Sequence, residues 1–341
     1  MRKLLLILGI GLALTAAAAA IYWQRANAMM RAPGPHRQSV ELLVKPGASV
    51  RAVLADLETK GVLADRRAVE IELRVRGWPQ IKTGRYEIPA QASPQDILRQ
   101  LVEGRVVLET LTVIEGWTFA DLRRAVEAHP NIKPTLRGKG VAELMTAIGH
   151  AGEHPEGRFF PDTYRFAAGT TDRELFSLAY RKMAETLDAA WASRTTALPL
   201  ANAYEALTLA SIVEKETGLA SERRQIAGVF TTRLRRNMRL QTDPTVIYGL
   251  GSTYDGNIRE RDLRTDTPYN TYTRAGLPPT PIALPSRDAI EAVTRPLETG
   301  DIFFVATGIG DGSHVFSATL EAHNAAVARY LARLRGTRTT R

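Results

Sequence analysis

The longest apolar stretch of the chain lies near its N-terminus. Residues 4–23 carry no charge, and Arg2 and Lys3 precede them. About twenty apolar residues are enough to cross a bilayer as a helix, and the two flanking cations favour a cytoplasmic N-terminus. The pattern predicts a transmembrane anchor over residues 1–23, with the rest of the chain exported. A cleaved signal peptide is the alternative, because residues 26–28 read Ala-Asn-Ala, like a cleavage site.

A short linker and a small module are predicted next. Residues 24–38 contain two prolines and a glycine, which indicates a linker. Residues 39–107 contain two similar segments. In each, a serine suited to a helix N-cap (Ser49 and Ser93) precedes apolar residues at helical spacing, and a glycine follows them. Short strand-like runs flank both helices. The pattern predicts a small α+β module.

Residues 108–341 form a larger predicted domain with longer helical patterns. Its last third is rich in Thr, Pro, Gly and Tyr, which is typical of loops and short strands. The whole chain is therefore predicted as α+β, with an N-terminal transmembrane helix, a small subdomain and a larger domain. The predicted helices of the larger domain include Asp172–Thr195, Ala201–Thr217, Glu222–Arg236 and Ala322–Leu334.

The composition narrows the classes of function. The formal net charge is +9, which suggests an anionic partner, although a general preference for arginine as the surface cation explains it equally well. The basic residues are scattered and no nucleic-acid-binding module is present, so nucleic acid is not an expected partner. The chain has no cysteine, which excludes disulfides and thiolate metal sites. His150 and His154 lack a recognisable third ligand, so neither a metal nor another cofactor is expected.

One helical pattern places a carboxylate among apolar residues. Leu209, Ile212, Val213 and Glu216 follow the i, i+3, i+4, i+7 spacing of one helix face, whereas Glu214 points elsewhere. A carboxyl group on a buried face must be paired with a cation or bind its proton more tightly. Glu216 is therefore either a general acid or a core residue neutralised by an arginine, and the helical pattern leaves both open.

Several longer motifs resemble one enzyme family. Ala210–Thr217 reads ASIVEKET, and Met238–Gly249 reads MRLQTDPTVIYG. Together with Phe160–Tyr164, Thr267–Tyr272 and Gly276–Pro279, they resemble, in order, the motifs of the MltG/YceG endolytic murein transglycosylases. Pro279-Thr280-Pro281 departs from the family pattern, which more often has a small residue there.

The resemblance implies a function and a location. Such an enzyme cleaves the MurNAc–GlcNAc bonds of nascent peptidoglycan strands, leaves 1,6-anhydroMurNAc ends and thereby terminates glycan polymerisation. Such an enzyme needs no cofactor. The resemblance also implies that Glu216 is the catalytic residue. It further implies that residues 39–107 form a LysM-like, glycan-binding subdomain and that residues 108–341 form the catalytic domain. The enzyme would sit in the cytoplasmic membrane, with this domain on the outer side, near peptidoglycan polymerases such as penicillin-binding proteins.

Polar and aromatic residues around the motifs are candidates for substrate binding. Two of them follow the helix after Glu216 and could hold an N-acetyl group or orient the acid, although an Asp before Pro244 is also typical of a turn. Four more alternate polar and aromatic groups suited to a sugar, or to ordinary packing at a hairpin edge. A last one precedes Gly157 and touches substrate or caps a turn. These candidates are Gln241, Asp243, Tyr269, Asn270, Thr271, Tyr272 and Glu156.

Two other functions remain open from the sequence. A muramidase would hydrolyse the same sugar chain, but it normally uses a second carboxylate to activate water or to form a covalent intermediate. A non-catalytic scaffold of the peptidoglycan synthesis complex would bind glycan without cutting it.

Overall fold

A computed structural model describes residues 2–45 and 47–339 of the chain, with side chains for residues 10–45 and 47–335. Contacts divide it into two compact units: one extends to Glu109 and includes Arg165–Gly169, and the other contains Thr110–Tyr164 and the chain from Thr170 onward. The helices are α1 (Arg2–Arg31), α2 (Val50–Thr59), α3 (Arg66–Arg76), α4 (Pro94–Glu103), α5 (Phe119–Ala128), α6 (Val141–Ala147), α7 (Asp172–Ala192), α8 (Ala203–Glu216), α9 (Ala220–Arg235), α10 (Asp243–Leu250), α11 (Glu260–Arg264), α12 (Arg287–Thr294) and α13 (Leu320–Thr339).

In the described part of the chain the strands are few and short, and they form three two-stranded sheets: β1 (Val40–Val44) with β2 (Gly84–Ile88), β3 (Leu108–Thr112) with β4 (Thr163–Ala167), and β5 (Phe303–Ala306) with β6 (His314–Ser317). This mixture of helices and small sheets agrees with the predicted α+β class. Several helices lie in the last third, where loops and short strands were predicted, and α12 is one of the buried core helices.

The first unit is built around the β1–β2 hairpin. The strands are antiparallel, with Leu42 opposite Tyr86, and both side chains are buried. The two helix caps predicted from the sequence are confirmed, because the side chains of Ser49 and Ser93 accept hydrogen bonds from the backbone of the first turns of α2 and α4. The apolar faces of these helices complete the core against the hairpin.

Helix α1 extends further than the sequence pattern suggested. It continues to Arg31, into the linker predicted over residues 24–38, because Ala26 and Met30 are buried and α1 contacts α4. Among the residues whose side chains the structure describes, no helix is long and apolar enough to cross a membrane. The predicted anchor over residues 1–23 begins in residues 1–9, whose side chains lie outside that description.

The second unit is organised around α8. This helix begins after Asn202, whose side chain accepts a hydrogen bond from the Glu205 N–H, and it packs against α7, α9 and α12. Residues 206–213 of α8 are all buried, so the helix is a central core element rather than an amphipathic surface helix. The first and last turns of α8 reach more open surroundings, and the last turn carries Glu216.

Candidate active site

Glu216 is the last residue of α8, and it is half-buried. The Thr242 hydroxyl donates a hydrogen bond to its Oε1. Within the described part of the chain, no lysine, arginine or histidine nitrogen lies within 4.0 Å of this carboxyl group. The structure therefore does not support the alternative in which an arginine neutralises Glu216 in the core.

The surroundings of Glu216 favour its protonated form. Burial raises its pKa from 4.5 to about 7; the hydrogen bond from Thr242 opposes this rise, the charge of Asp243 adds to it, and the charge of His314 opposes it. A group with this pKa is divided almost evenly between acid and carboxylate at neutral pH. It can therefore donate a proton in one step and accept one in the next.

A network of three threonines positions the Thr242 hydroxyl that donates to Glu216. Thr242 precedes α10, and its backbone N–H donates to the Thr271 hydroxyl over 3.1 Å. The hydroxyls of Thr245 and Thr271 are 2.9 Å apart, and Thr245 also donates to the Thr242 carbonyl over 2.8 Å. All three side chains are buried. The network holds the Thr242 hydroxyl toward Glu216, and its role was not predicted from the sequence.

Two of the predicted substrate-binding residues meet beside this network. The Tyr272 hydroxyl donates to Asp243 Oδ1 over 2.6 Å. The pKa of Tyr272 is raised by burial, by that bond and by the charges of Asp243 and Glu216. Asp243 is exposed and Tyr272 is half-buried, so both have surface available to a ligand. Glu216, Asp243 and Tyr272 thus form one polar cluster. The sequence predicted these three residues as candidates but could not show that they lie together.

Gln241 lies at the same place in an unusual backbone conformation. Its φ is +52°, a left-handed conformation that costs a non-glycine residue about 1–2 kcal/mol. Its N–H donates to the Thr271 carbonyl over 3.2 Å, and its Oε1 accepts a bond from Arg233 over 3.3 Å. The buried Arg233 also donates to the carbonyls of Leu240 and Ile302. This arginine holds the strained loop in place, and strain at such a position is typical of functional sites.

Asn270 and Thr271, which were predicted as substrate contacts, are both buried in the structure. The Asn270 amide donates to three backbone carbonyls, and its Oδ1 accepts the Tyr272 N–H over 2.8 Å. Thr271 belongs to the threonine network. Because both side chains are buried and bonded within the protein, these two residues shape the loop that presents Tyr272.

Glu156 and Tyr269 lie in a second cluster. Glu156 is buried; it accepts the Phe119 N–H over 2.9 Å and the Tyr248 hydroxyl over 3.0 Å, and burial raises its pKa to about 7. The rings of Tyr248 and Tyr269 are 4.9 Å apart, and the Tyr269 hydroxyl lies 2.9 Å from that of Thr280. Glu156 thus supports α10 from inside, which differs from a direct contact with substrate.

A histidine and a glutamate flank Glu216 on another side. One Glu222 oxygen accepts the backbone N–H of His314 over 3.0 Å, and the other lies 2.8 Å from its Nδ1. This two-point contact fixes the imidazole on β6 against the first turn of α9. Neither residue was predicted from the sequence as part of the site. The two residues are 92 positions apart, and no spacing pattern links such a pair.

The chain is similar to proteins of one family over most of its length. The model of the YceG-like family matches residues 42–329. The endolytic murein transglycosylase of Bacillus subtilis strain 168 is 29% identical over 312 residues, which cover 86% of each chain. That of Streptococcus pneumoniae serotype 2 strain D39 is 27% identical over 327 residues, with 86% of this chain matching 59% of that protein.

A solved structure shows the same similarity. The 2.6 Å crystal structure of a yceG-like protein from Listeria monocytogenes has a TM-score of 0.51 to this chain and is 27% identical to it. The match covers 85% of this chain and 99% of that one.

Proposed function

The chain belongs to the YceG-like family, and we propose that it is an endolytic peptidoglycan lytic transglycosylase with Glu216 as its catalytic acid and base. It would cleave MurNAc–GlcNAc bonds within nascent glycan strands. The observation that carries this proposal is the state of Glu216: a half-buried carboxyl whose pKa is raised to about 7, with no lysine, arginine or histidine nitrogen within 4.0 Å among the described residues. The names of the relatives from Bacillus and Streptococcus support the same reaction.

The reaction needs one carboxyl group in two successive states. Protonated Glu216 donates its proton to the bridging oxygen as the bond from that oxygen to C1 of MurNAc breaks, and positive charge develops on the sugar. The resulting carboxylate then accepts the proton of the C6 hydroxyl, whose oxygen bonds to C1 and closes a 1,6-anhydro ring. No water is consumed, and Glu216 ends protonated again. The attacking hydroxyl is tethered to the same sugar, which gives it a high effective molarity.

The neighbours of Glu216 would serve both steps. The charge of Asp243 raises the pKa of Glu216 and so retains the proton for the first step, whereas the Thr242 hydrogen bond stabilises the carboxylate formed after it. Tyr272, held by Asp243, presents an aromatic ring and a hydroxyl suited to a sugar. Gln241 offers an exposed side chain at the same loop.

Hydrolysis of the same bond is the second candidate, and Asp243 is the observation that favours it. A muramidase uses a second carboxylate near the acid, and Asp243 is close enough for its charge to raise the pKa of Glu216. The two reactions leave different ends, because an anhydro end is lighter by one water than a hydrolysed end.

A membrane anchor and a role in ending strand synthesis complete the proposal. The uncharged residues 4–23 and the length of α1 support a single-pass anchor in the cytoplasmic membrane, with the catalytic domain outside. The exposed side chains of Ile10, Leu12 and Leu14 fit a lipid environment. The small unit, as a LysM-like module, would bind the emerging glycan. Cleavage near the membrane would then terminate strands made by peptidoglycan polymerases, including penicillin-binding proteins.

Digestion of isolated, uncrosslinked glycan strands tests the reaction. The wild-type protein should release fragments with 1,6-anhydroMurNAc ends, measured by mass spectrometry, and Glu216→Gln should lower the rate at least 1000-fold. The matched control is Glu214→Gln on the same helix turn. Hydrolysed ends alone would support the muramidase. Strands that are bound equally by both proteins but left uncut would support the scaffold, and an undiminished rate in Glu216→Gln would assign the chemistry to another residue.

A further inference from the structure

Helix α3 of the first unit turns an apolar and basic face outward. Its buried side chains, including Val69 and Leu73, pack into the core. On the opposite face, Ile71 is 52% exposed and Val75 is 69% exposed, and Trp78, just beyond the helix end, is 39% exposed. Isolated exposed apolar residues are ordinary. Three of them in line on one short segment form a patch that calls for a partner.

Arginines share that outward face. Residues 67, 71, 74 and 75 follow the spacing i, i+4, i+7 and i+8, which places them along one side of the helix. Trp78 follows the C-cap Gly77, and the Arg51 guanidinium lies 5.2 Å from the centre of its ring. Arg67 and Arg74 are exposed, and among the described residues neither has a carboxylate within ion-pair distance. Exposed apolar side chains interleaved with unpaired arginines are typical of a helix that lies at the surface of an anionic bilayer.

Helix α3 is attached to α1 at the level where the proposed anchor ends. The Tyr22 hydroxyl donates to Glu72 over 3.3 Å, and Arg76 donates to Asn27 over 2.6 Å. An apolar groove of about 560 Å³ separates the two helices, and Ile71 lines it together with Ala18 and Ile21. Both α1 residues lie inside the uncharged stretch 4–23. The contacts therefore fix the height of α3 relative to the apolar part of α1.

This height places α3 at the end of the uncharged stretch. Tyr22, which bonds Glu72, lies one residue before Trp23, and Asn27, which bonds Arg76, lies four residues after it, roughly 6 Å along the helix axis. Helices in the membrane interface bury their apolar face by about 5–10 Å at the boundary between headgroups and acyl chains. If residues 4–23 cross the bilayer, Ile71, the neighbour of Glu72 in the chain, lies at that boundary.

We propose that the outward face of α3, formed by Arg67, Ile71, Arg74, Val75 and Trp78, docks on the outer surface of the membrane and binds anionic phospholipid. The inference rests on the membrane anchor of the proposed function. It adds a second contact of the small unit with the bilayer, beside the anchor. The groove between α1 and α3 would then hold part of a lipid acyl chain.

Quenching of single tryptophans by brominated lipid tests this placement. The chain has four tryptophans, so variants that retain only Trp78 or only Trp23, with phenylalanine at the other three positions, separate the two attachments. The full-length proteins are reconstituted in phosphatidylcholine vesicles with 30% phosphatidylglycerol, with or without lipid brominated near the headgroup. Both tryptophans should lose about half of their emission in brominated vesicles. Quenching of Trp23 without Trp78 overturns the docking of α3 and leaves the anchor intact.

Other outcomes separate the anchor from the docking face. Quenching of Trp78 without Trp23 would support the face and contradict the anchor, and quenching of neither would overturn both. In the protein that retains Trp78, Ile71→Gln/Val75→Gln should abolish its quenching, and Arg67→Gln/Arg74→Gln should reduce it at least twofold. Arg99→Gln/Arg105→Gln, which removes the same charge from exposed, ion-paired positions, should leave it unchanged. A Trp78 emission that responds to glycan strands and not to brominated lipid would assign this face to glycan instead.

Discussion

The Thr242 hydroxyl donates a hydrogen bond to the Glu216 carboxylate. Thr242 begins a different helix and lies 26 positions later in the chain. This contact stabilises the charged form of Glu216 in a place where burial favours the neutral one. The opposition of the two effects leaves the pKa near neutral, which suits a group that must first release a proton and then recover it.

Removal of that hydroxyl should raise the pKa of Glu216 further. Thr242→Val keeps the shape of the side chain and removes the hydrogen bond to the carboxylate, so the proton is held more tightly. We expect the alkaline limb of the kcat/KM profile to move to higher pH by about one unit. Thr294→Val, at a buried threonine whose hydroxyl donates to backbone carbonyls of its own helix, is the control. A limb that does not move would contradict a role for Thr242 in tuning the acid.

Removal of the charge at Asp243 should act in the opposite direction. The carboxylate of Asp243 raises the pKa of Glu216, so Asp243→Asn lowers it. Wild-type kcat/KM should fall above about pH 7, where the general acid loses its proton, and in the variant this fall should begin at lower pH. Asp266→Asn, which removes an exposed carboxylate paired with Arg274, should leave the profile unchanged. If Asp243→Asn instead abolishes cleavage at every pH, Asp243 takes part in the chemistry directly.

Glu216 should make the folded protein less stable as pH rises. Its pKa is about 7 in the folded protein and 4.5 in the reference state, so the folded state binds more protons between these values, and stability falls across that window. Glu216→Gln stays neutral and keeps an acceptor for Thr242. We expect the variant to gain about 1–3 kcal/mol over wild type at pH 8 and little at pH 4.5.

Urea unfolding at both pH values measures this difference. Glu260→Gln, at an exposed position, serves as the control and should show no gain with pH. An equal difference between Glu216→Gln and wild type at pH 4.5 and pH 8 would show that the carboxyl group is not held in its neutral form.

The buried Arg233 should support both folding and the site. It donates to the carbonyls of Arg239, Leu240 and Ile302, so Arg233→Met leaves buried acceptors without donors. Each such acceptor costs about 1–3 kcal/mol, and we expect a loss of at least 3 kcal/mol in unfolding free energy, together with a lower kcat as Gln241 leaves its position. Arg235→Met, where the arginine bonds the exposed Glu298, should cost less than 1 kcal/mol. Equal losses in the two variants would contradict this role for Arg233.

Local patterns in the sequence predicted the helices well where caps and spacing act together. Ser49 and Ser93 begin their helices as expected, and α8 spans nearly the predicted residues. The prediction of secondary structure was less accurate in the last third of the chain. There, the many Thr, Pro and Gly residues indicated loops, and short helices such as α10 and α12 were not predicted. Helix propensity there is overridden by burial, because α12 packs against α8 and α9.

The candidate site was predicted in part, and the limit is physical. Helical spacing could place Glu216 toward the protein, because side chains three and four positions apart share a face. It could not show that Asn270 is buried or that Tyr272 meets Asp243, since these contacts join residues that are distant in the chain. Long-range contacts depend on how the elements pack, and the spacing of residues along one element carries no information about them.

The sequence by itself determined the capped helices, the position of Glu216 near the end of a predicted helix, and the motifs that indicate the family. Only the tertiary structure decided the chemical state of that residue. Desolvation depends on every element packed around the carboxyl group, and its partner, Thr242, comes from another helix. Whether an arginine reaches a buried glutamate is likewise a property of three-dimensional packing, and here a threonine occupies that place.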